Sequence, residues 1–283
     1  MPHIVILTHK YSEDFEDSRY HMRYVAELWR EDGHVVTVLR GPDKFVEADM
    51  AVLHVDETRI SSKYVDLINR YPKSINSRVV DISKRIISTN ILESNDGYDG
   101  PVIVKTDLNF GGEVEGRIAS RISLALRVRG AIRRRLPWGL RSEISANDYR
   151  VYKRRADVPG IVWLNKDLVV EKFLPERSGE DYCLRTWVFL GDKETHSISY
   201  SKDPVVKSHN VHLRTSGTGV PDELRQIRKD LGFDFGKFDY VVSEGKPVLY
   251  DANRSPTRGI SPGDPFMERM RILADGLDSV LSS

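Results

Sequence analysis

The sequence has little cysteine: Cys183 alone among 283 residues. An internal disulfide framework and a Cys-rich zinc module are both excluded. No apolar run approaches the roughly 18 to 20 residues that a bilayer-crossing helix needs. Met1-Pro2-His3 and the apolar run after it lack the charged n-region and small-residue cleavage site of a signal peptide, so the expected compartment is the cytoplasm. An excess of one charge sign is missing too. The 43 Lys and Arg face 42 Asp and Glu, which excludes a generally basic nucleic-acid coat but not a local patch. There is no internal repeat or low-complexity segment. Core material is plentiful. Hydrophobic residues make up 40%, enough for one large or two modest domains and too many for disorder.

Three signatures fail on inspection. Gly232 to Lys237 resembles a P-loop but has one residue too few between its glycines and Phe238 where Ser or Thr is needed. Gly217-Thr218-Gly219 lacks the third glycine and the preceding strand of a dinucleotide fingerprint. His209 and His212 have no third metal ligand nearby. Cys183 sits inside a strand-like run and reads as a core thiol.

The first eighty residues read as a small parallel α/β unit. His3–Thr8, His34–Leu39 and Ala51–Val55 are short, β-branched and nearly unbroken in apolarity, as strands covered on both faces should be. Between the first two, Met22, Val25, Ala26 and Trp29 recur at helical spacing and Asp32-Gly33 stops the helix. Pro101–Lys105 is a further strand. Arg117 to Leu136 reads as one helix. Residues 117 to 155 hold twelve Lys and Arg against Glu143 and Asp148 alone. Strand-like runs return at Leu168–Phe173, Leu184–Leu190, Phe238–Val242 and Pro247–Tyr250, with helices at Pro221–Leu231 and from Pro265.

Four pieces can build one site. Phe238–Val242 and Pro247–Asn253 form a hairpin around Glu244-Gly245. Asp251 and Asn253, two apart, face one way, with Asp239 across the hairpin. Three hard oxygen donors suit magnesium; the bland alternative is an exposed polar face. Lys105 ends an apolar strand, as a phosphate ligand or as a snorkelling residue, and Gly111-Gly112 can bring backbone N–H groups to phosphate oxygens. Glu171, Lys172, Phe173 and Leu174 form an extended segment whose backbone can face an adenine edge, and Asp181 can accept from ribose hydroxyls. Arg185, among aromatics in a strand, needs an anion: a phosphate, or a core partner such as Glu171.

In this order the pieces resemble the ATP-grasp family over Ser83 to Thr257. The most specific part is Asp239 followed by Asp251-Ala252-Asn253-Arg254-Ser255-Pro256. Asp251 stands where Glu is commoner, one methylene shorter. The resemblance implies a small parallel α/β domain at 1–82, then an α+β ATP-grasp domain in two subdomains, 83–167 with the basic insertion and 168–283 with the metal hairpin. It implies ATP and Mg2+ as cofactors. Lys84 and Lys105 become phosphate contacts, Gly111 and Gly112 the phosphate-covering loop, Glu171 to Leu174 the adenine hinge, Asp181 the ribose contact, and Asp239, Asp251 and Asn253 the metal ligands. Arg185 becomes the catalytic cation at the γ-phosphate.

Lys207, in the loop beyond the Arg185 strand, is a further candidate cation, with a solvated loop lysine as its alternative. The implied reaction joins a small carboxylate, activated as an acylphosphate, to an amine or thiol. A phosphotransferase on the same fold and a non-catalytic nucleotide-binding module are the alternatives. The Arg117–Arg155 stretch is either a solvated lid or a dock for an acidic carrier protein, a tRNA-like acceptor or an anionic membrane face. An oligomer is left open.

Overall fold

The computed structural model describes residues 1–217, 219–259 and 265–282, with the backbone alone at 129, 134 and 146. Part of the failed Gly217–Gly219 motif therefore lies outside the described residues. Among those described, no helix is long and apolar enough to cross a membrane, and the strands form three sheets.

The first sheet is parallel, ordered β2-β1-β3-β4, from β1 (His3–Thr8), β2 (Val35–Arg40), β3 (Met50–His54) and β4 (Lys73–Ile75). Helix α1 (His21–Glu31) follows β1, and α2 (Ser62–Ile68) follows β3. Alternation along β1 divides the core. Ile4 and Ile6 pack with Met22, Val25 and Trp29 of α1, whereas Val5 and Leu7 pack with Tyr64, Leu67 and Ile68 of α2. Such side chains contribute about 1.5 to 3 kcal/mol each when fully buried. The α1 side of this core also takes in Val188, Leu190 and Phe235 of the last sheet and Phe266, Met270 and Leu273 near the C-terminus.

Next come α3 (Lys84–Ile87), β5 (Val102–Thr106), α4 (Glu113–Ile122), α5 (Leu124–Arg134), β6 (Arg150–Tyr152), α6 (Gly160–Leu164) and β7 (Leu168–Lys172). The second sheet is antiparallel, β6-β5-β7. Because Leu168–Lys172 pairs with Val102–Thr106, a division at residue 168 falls inside this sheet. An apolar run does not name its partner strand. The helix expected over Arg117 to Leu136 is two helices. Ser123 is extended between them, and its hydroxyl accepts from the Ala125 N–H at 3.2 Å, capping α5.

The third sheet runs β11-β10-β9-β12-β13, with β8 also paired to β9. Its strands are β8 (Glu176–Ser178), β9 (Asp181–Leu190), β10 (Lys193–Ser201), β11 (Leu213–Ser216), β12 (Phe235–Ser243) and β13 (Lys246–Asn253). One face carries Trp187, Phe189 and Phe238 and is covered by Leu224 of α7 (Asp222–Leu231). Helices α8 (Phe266–Ala274) and α9 (Leu277–Ser282) end the described chain. Strand β10 is absent from the sequence reading because Thr195, Ser197 and Ser199 break its apolarity. The β12–β13 turn has Glu244 and Gly245 both at positive φ, 52° and 78°, as a two-residue type I′ turn requires.

Fully buried Arg254 ties the hairpin to the first unit. Its guanidinium donates to the carbonyls of Val55 (2.9 Å), Val79 (2.6 Å), Thr58 (3.2 Å) and Glu57. Beside it, buried His54 packs edge-on against Phe15 and Tyr20. Burial holds its imidazole down at about 3.

That value has a consequence for acid stability. Between about pH 6.5 and pH 3 the unfolded chain takes up a proton on His54 that the folded chain refuses. Stability from this residue is therefore complete above 6.5 and falls with pH at about 1.4 kcal/mol per unit. Asp56 and Glu57, held up at about 7 by burial, titrate in the same window with the opposite sign. The difference between wild type and His54→Gln isolates the term. Denaturant unfolding at pH 7 and pH 5 is expected to cost the wild type about 2 kcal/mol more than the variant; equal losses would contradict a neutral buried His54.

Candidate active site

Strand register decides which groups meet. Asp239 of β12 is the direct partner of Asp251 of β13, and Lys237 of Asn253. Direct partners share a face, so these four side chains lie on one side of the sheet. Thr186 joins them: it pairs with Asp239, and its hydroxyl donates to Asp239 Oδ1 at 2.9 Å. Residue 250 is the extra residue where the register shifts, between the Asp239–Asp251 and Tyr240–Leu249 pairs.

Other elements bring lysines to this face. Lys84, the first residue of α3 and buried, reaches Asp251 Oδ1 at 2.5 Å. Burial pulls its ammonium down, but Asp251 outweighs this and leaves it above an ordinary lysine. Burial likewise pushes the Asp251 carboxyl up, and Lys84, then Lys237 and Lys105, hold it below the usual range. Lys237 donates to Asp239 at 2.7 Å, and that carboxylate keeps it raised against burial. Lys105 of β5 reaches Glu171 Oε2 of β7 at 2.5 Å and lies 4.8 Å from the Tyr250 ring centre. Glu171 is wholly buried, and its other oxygen, Oε1, has no hydrogen-bond partner among the described residues. Lys207 lies 5.3 Å from the Tyr149 ring centre. Burial, then the charges of Lys105 and Lys84 against the pull of Asp251, lowers its ammonium to about 8. Four ammonium groups thus face three carboxylates, and Lys207 is in no ion pair among the described residues.

The expected adenine hinge is already hydrogen-bonded. The Lys172 N–H donates to the Asn90 carbonyl at 2.9 Å, and its carbonyl accepts from Asn90 Nδ2 at 2.9 Å. The Phe173 N–H donates to the Pro101 carbonyl at 2.8 Å. The Tyr250 hydroxyl accepts from the Leu174 N–H at 3.0 Å and donates to its carbonyl at 2.8 Å. That phenol uses the donor and acceptor pair that an adenine edge would use.

The expected phosphate loop is strained in a way glycine relieves. Phe110, Gly111 and Gly112 are all at positive φ (46°, 70° and 81°). A Cβ on Gly111 would lie 2.5 Å from the Ile144 carbonyl oxygen. Asn109 and Phe110 line a cavity of about 590 Å³ whose wall also includes Thr186, Lys237 and Asn253.

Two expected residues stand elsewhere. Arg185 is paired across the sheet with Tyr240 and shares the reverse face with Trp187. Its guanidinium holds Glu176 through contacts of 2.5 and 2.9 Å, and Glu176 also accepts from the Val242 N–H at 2.7 Å. Its core partner is thus Glu176 and not Glu171, and alternation along β9 turns it away from Asp239 and Asp251. It braces the back of the hairpin. Asp181, at the start of β9, is held by Lys202 at 2.9 Å and His212 at 3.3 Å. Cys183 is buried in β9.

The donor set fits magnesium in kind: two carboxylates on one face and an amide two residues from one of them. Among the described residues no three His, Cys, Asp or Glu side chains form a metal-holding group, so a third protein donor would have to be Asn253. Its Oδ1 now accepts from the Ser255 N–H at 2.8 Å. Lys237, Tyr149 and Tyr250 escaped the sequence reading. Lys237 was findable, since it precedes Asp239 by two and must share its face. Tyr250 was not, because its direction depends on the bulge.

No family model matches the sequence, and no curated protein matches it. Solved structures do. A RimK-domain ATP-grasp protein of Sphaerobacter thermophilus is 16% identical, with a TM-score of 0.51 over 96% of this chain and 98% of that one. D-alanine–D-alanine ligase of Bacillus anthracis is 12% identical, with a TM-score of 0.46 over 99% and 96%. Macrocyclase MdnC of Microcystis aeruginosa, bound with precursor peptide MdnA, is 10% identical, with a TM-score of 0.49 over 95% and 99%. The first of these carries the assignment, and what it assigns is the fold.

The Lys105–Glu171 pair gives the site a measurable signature. Lys105→Met leaves a fully buried carboxylate unpaired and is expected to cost about 3 to 5 kcal/mol. Adding Glu171→Met to that variant is expected to restore most of the loss. Equilibrium unfolding of the double-mutant cycle measures both, and simple additivity would show that the two charges do not depend on each other.

Proposed function

We propose that this chain, which has the ATP-grasp fold, is an ATP-dependent ligase that activates a carboxylate as an acylphosphate and joins it to an amine or thiol. The observation that carries the reading is the Asp239–Asp251 cross-strand pair, with Lys84 and Lys105 brought to it from other elements. Phosphoryl transfer asks a protein for positioning and charge rather than a covalent nucleophile, and this cluster holds charge and no activated Ser or Cys.

In this reading Lys84, Lys105 and Lys207 bind the triphosphate, and Gly111 and Gly112 cover it. Asp239, Asp251 and Asn253 hold magnesium. When bound, the ion supplies charge neutralisation at phosphate oxygens. Lys84 and Lys237 then exchange a carboxylate partner for a phosphate one. Glu171 to Leu174 form the adenine hinge, and Leu174 becomes available when Tyr250 releases it. Lys237, beside Asp239 on the cavity wall, takes the role that the sequence gave to Arg185: a fixed cation where the acid meets the γ-phosphate. The amine or thiol displaces phosphate from the acyl group. The basic segment offers an acidic partner a surface on α5, where Leu124, Val128 and Ile132 are exposed at four-residue spacing.

Asp251→Asn is expected to lower magnesium-dependent ADP formation about a hundredfold or more, with Asp251→Glu recovering part of it. An unfolding midpoint measured alongside separates lost chemistry from lost fold. Near-normal turnover in the folded Asn variant would contradict the assignment. Product analysis decides the reaction: free phosphate with a new amide or thioester supports ligation, and a stable phosphorylated product would replace it with phosphotransfer.

A further inference from the structure

The cavity beside the lysine cluster has a charge pattern that the nucleotide does not explain. Arg19, Arg214 and Arg258 line it together with Lys237. They come from three parts of the chain. Arg214 lies on β11 in register with Ser199 of β10, which pairs with Leu184 on the face that carries Thr186 and Asp239. Arg19 and Arg258 belong to two segments knitted together: the Arg258 N–H donates to the Arg19 carbonyl at 2.7 Å, and Arg19 Nη2 donates to the Arg258 carbonyl at 2.6 Å.

Some arginines of the chain are neutralised by a carboxylate partner. Arg23, Arg30, Arg185, Arg225 and Arg271 each hold a carboxylate within 3.2 Å. Among the described residues, Arg19, Arg214 and Arg258 are in no ion pair. Arg214 donates from Nε to the Ser199 hydroxyl at 3.2 Å, and Arg258 lies over the Phe266 ring at 4.6 Å. The acids on the same wall are engaged otherwise. Glu13 lies 3.9 Å from Arg117, and Asp56 accepts from the Tyr20 hydroxyl at 2.8 Å. A guanidinium cannot discharge by losing its proton, and its fork of donors matches carboxylate and phosphate oxygens.

We infer that the acid this site takes carries a second anionic group, carboxylate or phosphate, held by Arg214 and Arg258 at a distance from the carboxylate that reacts. The inference deepens the ligase reading by naming its substrate class, and it rests on that reading for which carboxylate is activated. A monocarboxylic acid would leave these guanidiniums facing an anion-free cavity. A cavity of about 590 Å³ accommodates the larger ligand.

The test is calorimetric binding to the full chain without nucleotide, using glutarate against valerate and phosphoglycolate against glycolate. Each dianion is expected to bind at least about tenfold more tightly than its monoanionic counterpart, the worth of a charge-assisted hydrogen-bonded pair. Arg214→Met and Arg258→Met are each expected to remove most of that preference. Preference for glutarate identifies the second group as carboxylate, and preference for phosphoglycolate identifies it as phosphate. Equal binding of monoanion and dianion, or an unchanged preference in both folded variants, overturns the inference. The two readings fail separately. A dianion preference without any magnesium-dependent ADP formation would sink the ligase alone, whereas turnover favouring monocarboxylic acids would sink the dianion alone.

Discussion

Buried Lys84 and part-exposed Asp251 meet at 2.5 Å where α3 packs on β13, and the ammonium depends on that carboxylate for its charge. A lone buried ammonium or carboxylate is strongly disfavoured. The contact therefore specifies how the hairpin sits against the segment before the second sheet. Lys105 and Glu171 make the same demand inside that sheet, and Lys237 and Asp239 along β12. Carboxylates hold the cations in place, and the arrangement keeps positive charge concentrated without a ligand. In the proposed reading a polyphosphate with its metal would re-partner these groups, the lysines holding the anion and the acids the cation. The strength of each pair then sets how much binding energy must be supplied before the site opens.

The surrounding fold positions this exchange. Arg254, one residue beyond Asn253, is locked to four carbonyls of the first unit. The ladder between residues 19–21 and 256–258 extends the same junction. The hairpin that carries the acids is thus fastened at its end to the unit whose loops wall the cavity. On the reverse face, Arg185 and Glu176 brace β9 against β12, so the acids stand on a sheet supported from behind. The Tyr250 hydroxyl occupies both backbone groups of Leu174, which in the same reading makes it a second point of exchange.

Much of this was legible in the sequence, for identifiable reasons. Buried parallel strands read as unbroken β-branched runs, and the two-residue spacing of Asp251 and Asn253 fixed a common face. Strand β10 was hidden because one of its faces lines a polar cavity. The break at Ser123 was hidden because a capping serine within a basic helical pattern looks like any surface serine. Arg185 was misdirected by one residue of alternation: its neighbour Thr186 faces the acids, and Arg185 faces the core. Long-range partners such as Glu176 for Arg185, or Tyr250 for Leu174, depend on sheet register and on one bulge, which no local pattern encodes.

The most direct test of the central claim is a crystal structure with magnesium and a non-hydrolysable ATP analogue. The expected result is a metal held by Asp239 and Asp251, Lys84 and Lys105 turned from their carboxylates to phosphate oxygens, and Leu174 released by Tyr250 to the base. Analogue bound elsewhere, with the Lys84–Asp251 and Lys105–Glu171 pairs intact, would contradict it.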